Sequence, residues 1–406
     1  MKILIIGAVR AAHIIIDKLG YEAVLLIDKV SASPADIKFP YKKLFVLKKD
    51  ADVEEYIELA KLLHQKEPFD AVCSFNDTTQ AIAIKIAGAL SLKFPVSLET
   101  LELLYNKNKT RQRLVEANLD DTSFATVRSE AQLNQFMNNE NAPVIIKPIA
   151  ATASNGVIKV ESVAEIAPAL AKLQQADIGW PLIAESFLDG EEFSVEAISE
   201  DGKHKILGVT KKLKDPVTFI ELGHVFPAPI EREHQEAIEE FVANALDALG
   251  LTDGPSHTEI MLTPKGPRMI ETHSRVAGDR IFQLVELSTG IDIFEMVIRQ
   301  ACGQKVLPLI EQKYSVSQFS AAKFEALGFD ANTKLQSVDN VEEAESINGV
   351  KLVSIAKGKG DLMDEVTDSF SRITLVIATG ETADKALKTS EQALKTLRYN
   401  LYWEQS

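Results

Sequence analysis

Short apolar runs alternate with amphipathic helical stretches through the first hundred residues. Lys2 to Gly7 (KILIIG), Ala23 to Asp28 (AVLLID), Lys43 to Leu47 (KLFVL) and Ala71 to Phe75 (AVCSF) read as strands, and helix-patterned segments such as Ala51 to His64 separate them. That order predicts a parallel sheet with helices on both faces. From about 104 to 310 the pattern changes to longer helices mixed with antiparallel strand pairs. A helix is expected around Thr110 to Ala117, a strand from Ala142 to Lys147 that Pro148 closes, and a strand from Trp180 to Leu188 that turns at Gly190 into the next one. Two segments of period two, Ser256 to Leu262 and Arg268 to Arg275, flank a turn expected from Thr263 to Pro267. The remaining residues suggest strands at Ser315 to Ala322 and Ile373 to Thr379, then a helix from Thr382 to about Tyr399. The expectation is therefore a mixed α/β and α+β chain in three units, 1–103, 104–310 and 311–406.

A chain of 406 residues can build several substantial cores. Its 44 basic and 59 acidic residues leave a net charge of −15, which argues against a sequence-independent nucleic-acid binder and against an anionic membrane surface. A nucleotide in a local basic pocket is still allowed. Cys73 and Cys302 lack C-x-x-C spacing, so neither a disulfide framework nor a structural zinc site is expected, and a reducing cytoplasm fits. No apolar run approaches the roughly 20 residues of a membrane span, and the amino-terminal residues enter a strand without a cleavage-site pattern.

The two period-two segments carry the candidate chemistry. If they pair symmetrically about Lys265, Glu259 lies opposite Glu271 and His257 opposite His273, with opposed Cβ atoms about 5 Å apart. Two carboxylates that close repel, and a divalent cation resolves the conflict; all-oxygen ligation suits Mg²⁺ or Mn²⁺. Arg275 projects from the same face, either toward an anionic substrate or into an ion pair with Glu271 or Asp279. Lys147 ends a strand of Val144, Ile145 and Ile146, so its ammonium needs an anionic partner, and a triphosphate would serve. Next to it Ile149 to Val157 is a run of small residues containing Gly156, able to bring backbone N–H groups to phosphate although no Walker A pattern is present. Peptide groups near Leu188 could read an adenine edge, with Glu192 on ribose hydroxyls. Three further features stay open. Gly7 lacks the rest of a dinucleotide-binding fingerprint and reads as a structural turn; Asn76 to Gln80 is either a ligand position beyond a strand or a helix N-cap; Gly358 and Gly360 suggest a hairpin turn.

Taken in order, Asn106-Lys107, the Ile146-Lys147-Pro148 strand end with its small-residue loop, Glu185 to Leu188 followed by Gly190, Glu192 and Ser194, then Glu259 and the Glu271, His273, Arg275 series, resemble the ATP-grasp superfamily over nearly the whole chain. The string His257-Thr-Glu-Ile, Glu271 with Arg275, Ala277 and Gly278, and Glu221-Leu-Gly-His224 resemble the bacterial L-amino-acid ligases within it. The resemblance implies an ATP-grasp fold with a pre-ATP-grasp unit at the amino terminus, a lid at about 118–187 and an α+β carboxy-terminal unit. It implies Lys107, Lys147, Ser154 and Gly156 on the phosphates, Glu185, Ser186, Phe187 and Leu188 near adenine, and Glu192 on ribose. Glu259 and Glu271 would hold Mg²⁺ or Mn²⁺, two ions in all. Arg275 and Gly278 would hold the carboxylate and the tetrahedral intermediate, and Glu221, His224 and His257 would shape the substrate pocket. The activity implied is ATP-dependent joining of a small carboxylate to an amine through an acyl phosphate, in the cytoplasm, by a chain that could be a homodimer. The loop from Ala150 to Gly156 is the expected cover over that intermediate. Two positions depart from the family. His273 stands where Asn is common and could bind metal, position an oxyanion or pack on His257; Asn106 replaces an acidic residue and leaves Lys109 as an alternative to Lys107. Histidines 224, 257 and 273 are all candidates to take the amine proton. A carboxylase of the biotin or purine type and a nucleotide-binding protein without turnover are the competing readings.

Overall fold

The computed structural model describes residues 1–149, 156–216, 218–329, 332–363, 366 and 369–403. Its first sheet contains β1 (Lys2–Ile6), β2 (Glu22–Asp28), β3 (Lys43–Leu47) and β4 (Ala71–Cys73), all parallel, in the order β3-β2-β1-β4. Its strands are apolar on both faces because both faces are covered. Leu4, Ile6, Val24 and Leu26 pack with Tyr56, Ala60 and Ile86 from helices on one side. Ile3, Ile5, Leu25 and Ile27 join a core on the other side that also takes in Ile198, Phe226, Phe294 and Ile377. The amino-terminal sheet thus shares one core with the rest of the chain. Gly7 leaves β1 with φ +86, and a Cβ there would lie 2.6 Å from Thr79 Oγ1. Asn76 accepts from the Thr79 N–H and caps the helix Asp77–Ala89, so both open features of this unit have structural roles.

A small antiparallel sheet follows, made of β5 (Phe124–Val127), β6 (Val144–Pro148), β7 (Ile158–Val160) and β8 (Leu182–Ser186), in the order β5-β8-β6-β7. Period two divides its strands. Val144, Ile146, Leu182 and Ala184 pack under the helices Glu130–Glu140 and Ile166–Gln175, which leaves Ile145, Lys147 and Glu185 on the opposite face.

The third sheet uses β9 (Glu191–Glu200), β10 (Lys203–Lys214), β11 (Glu221–Phe226), β12 (Gly254–Thr263), β13 (Gly266–His273) and β14 (Phe319–Glu325). After β15 (Thr333–Asp339) come β16 (Val350–Ile355), β17 (Thr374–Gly380) and β18 (Arg398–Trp403). Eight strands run antiparallel in the order β13-β12-β9-β10-β11-β14-β17-β16, while β15 pairs with β18. The sheet is therefore continuous across residue 310, where a unit boundary was expected. Two expectations change. The terminal helix is Ala383–Thr396, and the following residues form β18 because Tyr399 and Leu401 alternate into a small core with Leu335 and Ile373. The hairpin turn is only Pro264 and Lys265, since Thr263 already pairs with Gly266. Glu259 still faces Glu271 and His257 still faces His273, because Ile260 pairs with Met269 and Ile270 is left as a bulge. The extra residue reconciles a two-residue turn with the register expected about Lys265.

Candidate active site

Between the small sheet and the β12-β13 end of the large one lies a cleft of about 900 Å³, its open mouth included. Ile145, Val157, Phe187, Leu188, Met261 and the bulged Ile270 give it apolar walls. Lys107, Lys147, Glu185, Ser186, Glu192, Glu259 and Glu271, all expected at a nucleotide and metal site, also line it. Glu221, His224, His257, His273, Arg275 and Gly278 do not. Glu221 reaches Lys212, His257 reaches Glu259 and His273 reaches Glu271 by direct side-chain contact. Ser154 and the rest of the expected cover loop lie outside the described residues, except Gly156, which has φ +72 and a position against Pro148 and Ile178.

Every buried charge in the cleft has an opposite neighbour. Lys147 Nζ is 2.6 Å from Glu185 Oε2, so the anion that Lys147 needs is supplied by the protein itself. Arg111 reaches the other Glu185 oxygen at 3.4 Å and also bonds Asp120 at 2.9 Å. Burial would raise the Glu185 carboxyl, but Lys147 and Arg111 hold it below the usual range. Ser186 turns its hydroxyl to Glu140 at 2.5 Å. Lys107, the first residue of the helix Lys107–Glu116, meets Glu271 at 2.8 Å. Lys109 turns outward to Glu102, and the Asn106 side chain caps the helix by accepting from the Lys109 N–H. Between the two lysines, Lys107 is the one in the cleft.

Lys212 was not expected, and it is the hub. Its ammonium is 2.5 Å from Glu259 Oε1 and 3.2 Å from Glu192 Oε1, and it also pairs with Glu221. Glu192, Glu221 and Glu259 bring carboxylate oxygens within 4.8 Å of one another around it. Burial pushes the Lys212 ammonium down, yet Glu221, Glu259 and Glu192 together raise it well above the usual lysine range. Burial likewise works against the Glu259 carboxylate, and Lys212, His257 and Lys214 hold it well below the usual carboxylate range. For Glu271 burial is overcome by Lys107 and His273, again far downward. Both hairpin carboxylates are thus ionised at neutral pH.

The three histidines differ. His257 places Nδ1 2.9 Å from Glu196 and Nε2 3.3 Å from Glu259, and these carboxylates overcome burial to raise it to about 9. His273 leans on Glu271 at 3.2 Å and stacks on His257 with centroids 6.5 Å apart. His224 is fully buried, and neither of its ring nitrogens has a hydrogen-bond partner among the described residues. Its Nε2 lies 3.5 Å from Asp279 and 3.8 Å from Glu221. Arg275 pairs with neither Glu271 nor Asp279. Its Nε donates to both oxygens of Asp77, at 2.9 and 2.8 Å, while Asp279 is held by Arg372 at 2.6 and 2.7 Å. Gly278 is followed by two non-glycine residues with left-handed backbone, Asp279 at φ +50 and Arg280 at φ +64, strain of the kind that gathers at functional sites.

Residues 140–283 match the ATP-grasp domain family, and residues 329–401 match L-amino acid ligase C-terminal domain 2. The chain contains an ATP-grasp domain, the mark of an ATP-binding class, and its ATP-grasp ligase relatives support an enzyme that forms carbon–nitrogen bonds. Within that class it is 24% identical to alanine–anticapsin ligase of Bacillus subtilis, over 73% of this chain and 68% of the relative. An uncharacterized protein of Sinorhizobium fredii is 26% identical over 87% of this chain and 72% of its own length. The fold superimposes on the crystal structure of an L-amino acid ligase from Bacillus licheniformis with a TM-score of 0.85 at 22% identity, covering 100% of this chain and 99% of that one. Among the described residues no helix is long and apolar enough to cross a membrane.

Proposed function

We propose that the chain is an ATP-dependent carboxylate–amine ligase that joins two amino acids, or a modified amino acid and an amino acid, through an acyl phosphate. One observation carries this reading: Glu259 and Glu271 face each other on β12 and β13, each kept ionised by a lysine beside it, in a cleft with apolar walls. The donors fit the group the fold implies. Two facing carboxylates offer oxygen only, as Mg²⁺ prefers, and would hold one or two ions; when bound, Mg²⁺ neutralises phosphate charge and polarises the group being transferred. Lys107 and Lys147 would balance the remaining phosphate charge, with Gly156 close by. Phe187, Leu188 and Met261 suit an adenine ring, and Glu192 its ribose.

A carboxylate does not react with an amine at neutral pH because oxide is too poor a leaving group. Its oxygen attacks the γ-phosphorus, ADP departs, and the amine then displaces phosphate from the carbonyl carbon. Alignment and charge neutralisation dominate the first step, and a held oxyanion the second. Arg275 serves both, by holding the carboxylate and then the tetrahedral oxygen beside Gly278. The carboxylates of Glu196 and Glu259 favour the protonated form of His257, which leaves His224 and His273 as the candidates to take the amine proton. Glu221 and His224 would shape the amino-acid pocket. The three units proposed for the chain, 1–103, 104–310 and 311–406, each contribute to this assembly.

Incubating the purified chain with Mg-ATP and pools of amino acids should release phosphate and give new dipeptide masses. Phosphate release that needs bicarbonate alone would replace this reading with a carboxylase, and tight ATP binding without release under every pool with a binding protein.

A further inference from the structure

We propose that Asp77, contributed by the amino-terminal unit, is the positioning residue that aims Arg275 at the carboxylate substrate; the inference rests on the role given to Arg275 above. The Asp77 carboxylate takes the Nε–H of Arg275 on both oxygens, at 2.9 and 2.8 Å. It grips the guanidinium by its inner edge. At the outer edge, Nη1 makes one 3.2 Å bond to the Val276 carbonyl, and Nη2 has no partner among the described residues. A bidentate pair would occupy two guanidinium nitrogens, whereas the bonds to Asp77 use Nε alone. Here Nη2 is left to a ligand.

The carboxylate is itself fixed. Tyr105 donates its hydroxyl to Asp77 Oδ1, and His273 Nδ1 stands 3.6 Å from Oδ2. One helical turn on, Gln80 secures the backbone before the arginine. Its Nε2 donates to the Ser274 carbonyl at 2.7 Å, and the Ser274 hydroxyl donates back to Gln80 Oε1 at 2.9 Å, both in buried positions. Asp77 and Gln80 lie at i and i+3 on one face of the helix Asp77–Ala89, so a single rigid element holds both the main chain and the side chain of this segment. The partners are 194 and 198 residues apart in sequence. Such a brace keeps a flexible arginine in the one rotamer in which its free nitrogens point at the reacting group.

The test compares Asp77→Asn and Asp77→Glu with the wild type. Asparagine should raise KM for the amino-acid carboxylate roughly 10-fold to 100-fold, the loss of a charged hydrogen bond, while KM for ATP and the thermal midpoint stay close to wild type. Glutamate should recover part of the loss. A lower KM for the acid in Asp77→Asn would mean that Asp77 competes with substrate, and a loss that only follows a fall in thermal midpoint would mean a structural tie; either overturns the proposal. A second readout needs no turnover. The Nε–H proton resonance of Arg275, assigned by its disappearance in Arg275→Lys, should exchange slowly in the wild type and quickly in Asp77→Asn. Equal exchange in the two proteins refutes the anchor. Absence of phosphate release by the wild type with every acid refutes only the ligase reading.

Discussion

The amino-terminal sheet and the cleft end of the eight-stranded sheet bury ionisable groups with opposite results. Beside the first, His13 is fully buried next to the Arg10 guanidinium and is driven down to about 3, so burial leaves it neutral. In the cleft, Lys212 is as deeply enclosed and Glu259 and Glu271 are half-buried, yet all stay charged because each has an opposite charge 2.5 to 2.8 Å away. Burial alone drives a group toward its neutral form, and opposite charges packed around it can reverse that result. Pairs of this kind stabilise little once desolvation is counted. They do hold carboxylates and ammoniums ready for an ion and a phosphate, and the core that anchors them comes from the apolar runs elsewhere.

The strongest way to break this contrast is Glu271→Gln. It should lower turnover by on the order of 10³-fold, the scale of losing one preorganised electrostatic group, while the melting profile stays close to wild type. Unchanged turnover would remove Glu271 from the metal site. Next, Lys212→Met strips the counter-ion from three carboxylates and should cost about 3–5 kcal/mol of stability in urea unfolding at neutral pH. A neutral outcome would mean that the carboxylates take up protons at little cost. Leu25→Ala should cost about 2–5 kcal/mol through the cavity it leaves in the doubly covered sheet, yet activity per folded molecule should hold. Impaired activity at equal folding would show that the two regions are not separable in this way.

The smallest effect is on pH. His13 has a folded value below its unfolded 6.5, so the unfolded chain binds the extra proton between pH 6.5 and about 3. Its contribution is complete above pH 6.5 and is lost as pH falls through that window, by at most about 1.4 kcal/mol per pH unit. His13→Gln should flatten the urea-midpoint profile between pH 6.5 and 5 relative to wild type. Parallel profiles would place His13 in water.

What could be read from the amino acids divides along the same line. The parallel sheet was legible because each of its strands is a local apolar run, and the Glu259–Glu271 pairing because a hairpin needs only its own residues. Ile270 was not, since a bulge looks like any other strand position until the turn length is known. Lys212 and Lys214 share a face of β10 by period two, but no pattern names the carboxylates that arrive from β9, β11 and β12. Asp77 sat in a segment left open between a ligand position and a helix cap, and its tie to Arg275 became visible only when the two met across 198 residues. Near the end, β18 was lost because a strongly periodic helix seemed to continue through Tyr399, and β15 and β16 were not read.

The central claim is that a substrate carboxylate is activated by phosphorylation in this cleft. Supplying amino acids labelled with ¹⁸O in the carboxylate, together with Mg-ATP, and weighing the released phosphate tests it most directly. The acyl-phosphate route transfers one labelled oxygen to each phosphate as the amide forms. Phosphate released without label, at the same rate of amide formation, would contradict it.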